Sequence, residues 1–231
     1  KLDCSDNQLT ELNVRQNIAL QLLYCYENQL TELDVSQNMA LEELYCPDNQ
    51  LTKLDLSQNL ALQVLNCSSN QLKELDVHQN PELKTLSCSD NQLTELDVRQ
   101  NPKLYILLCG NNNLTALDLS QNTALTILSC SNNTYPIALV GGTFDLSTLP
   151  GNFDVSKAYD WTNATVDGNT LTVTDWKTDV TYTYDLGNGK TETFTLHPTS
   201  CTLTEEMVEA IPDQIYTGSE LKPEVTWKHG V

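Results

Sequence analysis

Basic residues are scarce in this chain. Twelve Lys and Arg stand against 31 Asp and Glu, a formal net charge of −19. That excludes nucleic acid as a partner, because phosphates require clustered Lys and Arg. It also disfavours an anionic membrane surface. Long apolar runs are missing too. None approaches the roughly 18 residues needed to span a bilayer, so this stretch does not insert in a membrane. Histidine is limited to His78, His197 and His229, and no CxxC spacing occurs. There is no HExxH, no phosphate loop, no nucleophile–base pair and no paired-carboxylate motif. The chain therefore reads as non-enzymatic, with no cofactor and no metal centre. The acidic balance permits a basic partner, steered by an attraction that salt weakens. An acidic surface also serves simply to keep an exported protein soluble.

What the sequence has in abundance is repetition. Cys4, Cys25, Cys46, Cys67, Cys88, Cys109 and Cys130 follow one another at a constant step of 21 residues. Each period between residues 2 and 133 has the form LxCxxNxLTxLDVxQNxxLxx. Every period holds two related halves. Leu20, Leu23, Cys25, Asn28 and Leu30 spell LxxLxCxxNxL, and Leu30, Leu33, Val35, Asn38 and Leu41 spell LxxLxVxxNxxL. A fixed period of this length is the mark of a solenoid.

These spacings resemble the leucine-rich-repeat family, with its LxxLxLxxN/CxL signature. The short period resembles the bacterial internalin-like surface proteins more than the longer ribonuclease-inhibitor type. Two departures stand out. Cys replaces the usual third Leu throughout, and the second half carries LDVSQN, another strand-like stretch. The resemblance implies a leucine-rich-repeat solenoid of parallel β coils with little helix, over residues 1–133.

Elementary geometry leads to the same architecture. Within LxC, Leu23 and Cys25 point to one face, and Tyr24 and Tyr26 to the other. One coil cannot bury its Leu face alone, but stacking coils about 4.8 Å apart builds a continuous interior. No stretch shows the 3.6-residue period of a helix. The expectation is strand on one side of each coil and short extended or 3₁₀ segments on the other, with weak curvature. Two asparagine columns, Asn7 to Asn133 and Asn17 to Asn122, fall where the chain turns inward. Asn both donates and accepts, so each column reads as a ladder satisfying turn backbone.

Seven thiols in a line offer neighbours but no tetrahedron, so a metal site does not fit. A disulfide between adjacent coils meets a geometric obstacle. It needs Cβ atoms about 3.5–4.5 Å apart, whereas the strand spacing is about 4.8 Å. No histidine lies in a cysteine-bearing strand to activate a thiolate. The cysteines then read as small apolar filler with raised pKa. Free thiols on an exported protein suit a reducing setting.

The period fails after Asn133. Residues 134–142 (TYPIALVGG) read as a cap and linker over the solenoid's open end. Residues 143–198 read as β, with a DGN turn and a hairpin at Gly187-Asn188-Gly189. Trp161, Trp176, Phe144, Phe153 and Phe194 are its candidate core. This stretch resembles the small β-sandwich modules that follow leucine-rich repeats in bacterial surface proteins, which implies an all-β sandwich-like module. Residues 199–231, with IPDQIYTGSELKPEVTW, resemble the start of a bacterial Ig-like β domain, and Cys201 falls there without a partner. About thirty residues cannot bury a core of their own. The chain also starts at Lys1 inside a repeat, so it reads as a piece of a longer protein whose signal and anchor lie outside it.

In leucine-rich repeats the strand face without the leucines is the usual binding surface. Most outward residues here are small and polar, such as Ser68, Ser87 and Ser89. Tyr24, Tyr26 and Tyr45 break that habit, rimmed by Asp6, Glu27 and Asp48. Tyrosine is favoured at binding hot spots because it is large, rigid and amphipathic. These six residues form the candidate surface for a protein partner. On the other side Asn13, Asp34, Asp55, Asp76, Asp97 and Asp118 form a column, read as surface hydrogen bonding, with a calcium ion between coils as the other option. The expected function is a non-enzymatic interaction module on a bacterial cell surface, serving adhesion or protein recognition. An intracellular acidic inhibitor-type binder of a basic protein is the alternative, and a glycan-binding surface protein is a third.

Overall fold

The structure, a computed structural model, describes residues 1–202. Seven very short strands stack in chain order as one parallel sheet. They are β1 (Leu2–Asp3), β2 (Leu22–Tyr24), β3 (Glu43–Tyr45), β4 (Val64–Asn66), β5 (Thr85–Ser87), β6 (Ile106–Leu108) and β7 (Ile127–Ser129). The register advances by one period each time: Leu23 pairs with Leu44 and Leu44 with Leu65. Leu23, Cys25, Leu44 and Cys46 are fully buried while Tyr24, Tyr26 and Tyr45 stay half-exposed, the alternation that a pleated strand imposes.

The strands are short because each coil soon turns. Asp6, Glu27, Asp48, Ser69, Asp90, Asn111 and Asn132 all have positive φ, between 51 and 60°. Left-handed backbone is unfavourable for most residues with a Cβ, and Asn and Asp tolerate it best. The following Asn then points inward. Asn70 Nδ2 donates to the carbonyls of Cys46, Cys67 and Ser68, each at 3.1 Å. Its Oδ1 accepts from Leu51 N–H at 2.9 Å. One side chain thus ties its own turn to the preceding coil.

The opposite side of the coil is different. There the described residues make no ladder, only an isolated bridge between Asn13 and Asp34. Tight turns run along it, with Asn38 N–H on Val35 O and Leu41 N–H on Asn38 O. The 3₁₀ segments expected here do not form among the described residues of the repeat. The two that exist lie beyond it, at Leu146–Thr148 and Val155–Lys157. Each is N-capped by an aspartate, Asp145 or Asp154, accepting from the backbone of Ser147 or Ser156.

Between the two sides runs the apolar interior. Cys25 to Cys130 are all buried and unbridged, while Cys4 is half-exposed on the first coil. Each buried Leu contributes about 1.5–3 kcal/mol of transfer free energy, repeated in every coil. A thiol is smaller than a leucine side chain, and the coil closes over it.

The chain beyond the repeat forms β8 (Thr134–Val140), β9 (Thr143–Asp145), β10 (Ala158–Thr162), β11 (Ala164–Asp167), β12 (Thr170–Val173), β13 (Val180–Gly187) and β14 (Lys190–Thr202). They make one sheet in the order β10-β13-β14-β8-β9-β12-β11, not the two sheets of a sandwich. The two parts of that sheet meet at a single β8–β9 pair, Val140 with Thr143. Residues 134–142 are not a linker: β8 is a central strand, paired parallel to β14. The expected break at residue 198 also fails, since β14 runs through to Thr202 and takes in Cys201. Strand pairing decides both points, because alternation in sequence does not say which neighbour a strand takes. The strands expected after Thr202 lie outside the described residues.

Phe194 is fully buried, but Trp161, Trp176, Phe144 and Phe153 are only partly so. Tyr182 and Tyr184 take the centre instead, with Trp161 stacked on Tyr182 at 4.5 Å between ring centroids. Tyr182 can be buried because its hydroxyl donates to Thr115 O at 2.6 Å. That bond also joins the sheet to the solenoid. Leu119 N–H on Leu186 O at 2.7 Å, Thr115 Oγ1 on Pro150 O at 2.9 Å and Thr195 N–H on Asn133 O at 3.1 Å also cross the seam. Gly187 lies on Ser120 with φ of 86°, and a Cβ there would sit 3.2 Å from the Ser120 nitrogen. The Gly187–Gly189 hairpin is therefore a clip on the last coils, as well as a turn.

Candidate functional site

Register brings Tyr24 and Tyr45 side by side on adjacent strands. Their ring centroids are 4.9 Å apart with the planes tilted by 52°. The Tyr24 hydroxyl donates to Glu43 Oε2 at 3.1 Å, and Lys1 Nζ lies 4.5 Å from the Tyr24 ring centroid. Desolvation, the Glu43 hydrogen bond and the charges of Glu43 and Asp3 raise the Tyr24 phenol above its ordinary range. Tyr26 lies two residues further along, half-exposed and outside the stacked pair.

Asp6, Glu27 and Asp48 occupy equivalent left-handed positions on three successive coils. They form an exposed acidic ridge just past the ends of β1, β2 and β3. A hydrogen bond that the protonated Glu27 carboxyl donates to Asp6, then the negative charge of Asp6, desolvation and the charge of Asp48, raise the Glu27 carboxyl. The six expected residues therefore divide into an aromatic pair with Tyr26 beside it, and a carboxylate ridge.

One outward row lies beyond the residues that flank each cysteine. Leu22, Glu43, Val64, Thr85, Ile106 and Ile127 face outward one step upstream. The alternation that exposes Tyr24 also exposes Leu22, so the signal was present. Glu43 from this row is the residue that orients Tyr24. A second exposed column, Ile18, Met39 and Leu60, follows the inner asparagines.

The aspartate column is engaged locally. Asp34, Asp55, Asp76, Asp97 and Asp118 each accept the backbone N–H two residues on, at 2.9–3.0 Å. Arg15 reaches across one coil to Asp34, and Arg99 pairs with Asp97. Among the described residues no three His, Cys, Asp or Glu side chains converge as metal ligands. The thiols are equally unsuited to chemistry: burial pushes Cys25 and Cys67 up to about 12. Where the sheet meets the solenoid lies a cleft of about 420 Å³, floored by Leu96, Leu117 and Tyr184 and edged by Glu74, Glu95 and Lys157.

Residues 61–101 match the family model described as leucine-rich repeats in two copies. Those residues span two of the coils, and the same register runs through the others, so the first part of the chain is a leucine-rich-repeat solenoid. No curated protein matches the chain significantly. Among solved structures it is similar to the functional domain of InlJ from Listeria monocytogenes, which includes a cysteine ladder. Identity there is 26%, covering 86% of this chain and 66% of that one, with a TM-score of 0.44. It is similar to an internalin, inlF, also from Listeria monocytogenes, at 25% identity over 56% and 39% of the two chains, TM-score 0.49. A leucine-rich-repeat protein of Leptospira interrogans gives 26% identity over 58% and 43%, TM-score 0.49. The chain spans 39% to 66% of the length of these proteins.

Proposed function

We propose that this chain is a non-enzymatic recognition module that binds a protein partner through the outer face of β1–β4, displayed on a bacterial cell surface. The observation that carries the reading is the half-exposed Tyr24–Tyr45 pair, held at 4.9 Å on the outward face of the sheet. A rigid aromatic pair loses little entropy on binding and offers large contact area. The solenoid gives it a fixed platform, because every coil is tied to the next by asparagine. The surface placement rests on the resemblance of the repeat to internalin-like surface proteins.

A panel of purified extracellular proteins, measured by biolayer interferometry, tests the recognition reading. At least one should bind, and Tyr24→Ala combined with Tyr45→Ala should weaken it about tenfold or more. Binding that survives the double substitution would remove this face as the site. Protease shaving of intact producing cells tests the placement: protection of the chain in whole cells would rule out surface display. A glycan array run on the same two proteins separates a protein partner from a carbohydrate.

A further inference from the structure

We infer that the Tyr24–Tyr45 pair is a seat for a positively charged side chain, so that the partner presents a basic segment to it. This rests on the recognition reading above and names the chemistry of the partner. The seat already holds a cation of the chain's own, since Lys1 Nζ lies 4.5 Å from the Tyr24 ring centroid. An aromatic face attracts an ammonium or guanidinium through its quadrupole. The hydroxyl of that ring donates to the Glu43 carboxylate at 3.1 Å, which leaves the ring more electron-rich. Asp3 is the register partner of Tyr24 on β1, and Glu43 stands on β3 beside it. The Asp6–Glu27–Asp48 ridge continues the negative potential past the strand ends.

Against these carboxylates, Lys1 is the one cation found over the two rings among the described residues. An incoming lysine or arginine therefore meets the polarised Tyr24 ring, the Tyr45 ring beside it and several carboxylates, and must displace or share with Lys1. A neutral or acidic partner segment would leave those carboxylates to be desolvated without compensation. The chain's net charge of −19 adds steering toward a basic partner.

Blocked tri-arginine, tri-lysine and tri-citrulline peptides test this at low ionic strength, with tyrosine ring resonances of the 231-residue chain as the readout. Both cationic peptides should shift Tyr24 and Tyr45 saturably, and tri-citrulline, the same shape as tri-arginine without its charge, should not. Tyr24→Leu should weaken binding about fivefold, while Tyr24→Phe retains most of it because the ring remains. Lys1→Ala should tighten binding by freeing the ring face. Equal shifts by tri-citrulline would overturn the inference. So would undiminished binding to Tyr24→Leu with loss in Glu74→Gln plus Glu95→Gln, which would place the peptide in the cleft instead. A protein partner lost on Tyr24→Ala plus Tyr45→Ala, with no response of either ring to the cationic peptides, would sink the cation seat and leave the recognition reading intact.

Discussion

Each coil has two sides built from nearly the same words, and they do different things. Leu20 to Leu30 and Leu30 to Leu41 both read as two leucines, a small apolar residue and an inward asparagine. The first makes a parallel ladder and the second makes tight turns with one isolated bridge. Their asparagines diverge in the same way. Asn70 has its carboxamide satisfied at both atoms. Asn80 donates to Leu56 O and Asn59 O, but its Oδ1 is buried without a partner, as are those of Asn38, Asn59, Asn101 and Asn122. The lesson is that one residue type in one local pattern is fully tied on the side where strands align adjacent coils and half tied on the other.

The largest test of that contrast is a pair of substitutions. Asn70→Leu should cost about 2–3 kcal/mol, because it strands the buried Leu51 N–H and takes one of two donors from the carbonyls of Cys46, Cys67 and Ser68. Asn80→Leu should cost about 1 kcal/mol, since the carbonyls of Leu56 and Asn59 keep their turn N–H donors and an unpaired acceptor is removed. Urea unfolding of both variants reads the difference, and equal losses would erase the distinction between the sides.

Next in size is an alkaline effect confined to the cysteine side. Burial holds the Cys67 thiol at about 12, against about 8.5 in an unfolded chain. The folded state favours the neutral thiol, so this stabilisation is complete below about pH 8.5 and is lost as pH rises toward 12. Each such thiol steepens the loss by about 1.4 kcal/mol per pH unit. Cys67→Ala should flatten the pH 9–11 unfolding profile by one thiol's share, while Val77→Ala lowers stability without changing the slope. Identical slopes would mean that the thiols are not what burial makes them.

A smaller effect belongs to the end of the turn side, where the second sheet clips on. Tyr182→Phe removes the donor to Thr115 O and should cost about 1–2 kcal/mol, read as a lowered thermal midpoint. No change would show that this seam is held by apolar contact alone. The smallest concerns Asp34, which the Ser36 hydroxyl and backbone N–H, with Arg15, hold at about 2. Its contribution is present above about pH 3.9 and is lost as the pH falls through about 2. Arg15→Gln should raise that titration slightly by NMR. An unchanged value would leave Ser36 as the sole cause.

Much of the solenoid is legible in the sequence. The 21-residue step set the coil, and alternation around Cys25 named the buried and exposed residues of each strand. The same alternation turns Tyr24 and Tyr45 outward, and the register places them in contact. What escaped was whatever depends on a neighbour distant in sequence. The role of Glu43 shows this, because it orients a tyrosine on a different coil. So do Tyr182 and Tyr184, which displaced the tryptophans as core because β13 is an inner strand and Thr115 offers Tyr182 an acceptor.

The sequence by itself determined the repeat, its inward leucines and cysteines, and the outward tyrosines. Local period and side-chain chemistry suffice for those, since each coil meets a copy of itself. Only the tertiary structure decided which half of the coil becomes strand, how residues 134–202 pair, and which side chains surround the tyrosine pair. Those outcomes depend on which backbone groups come within hydrogen-bonding distance once the coils have stacked, and no single period contains that information.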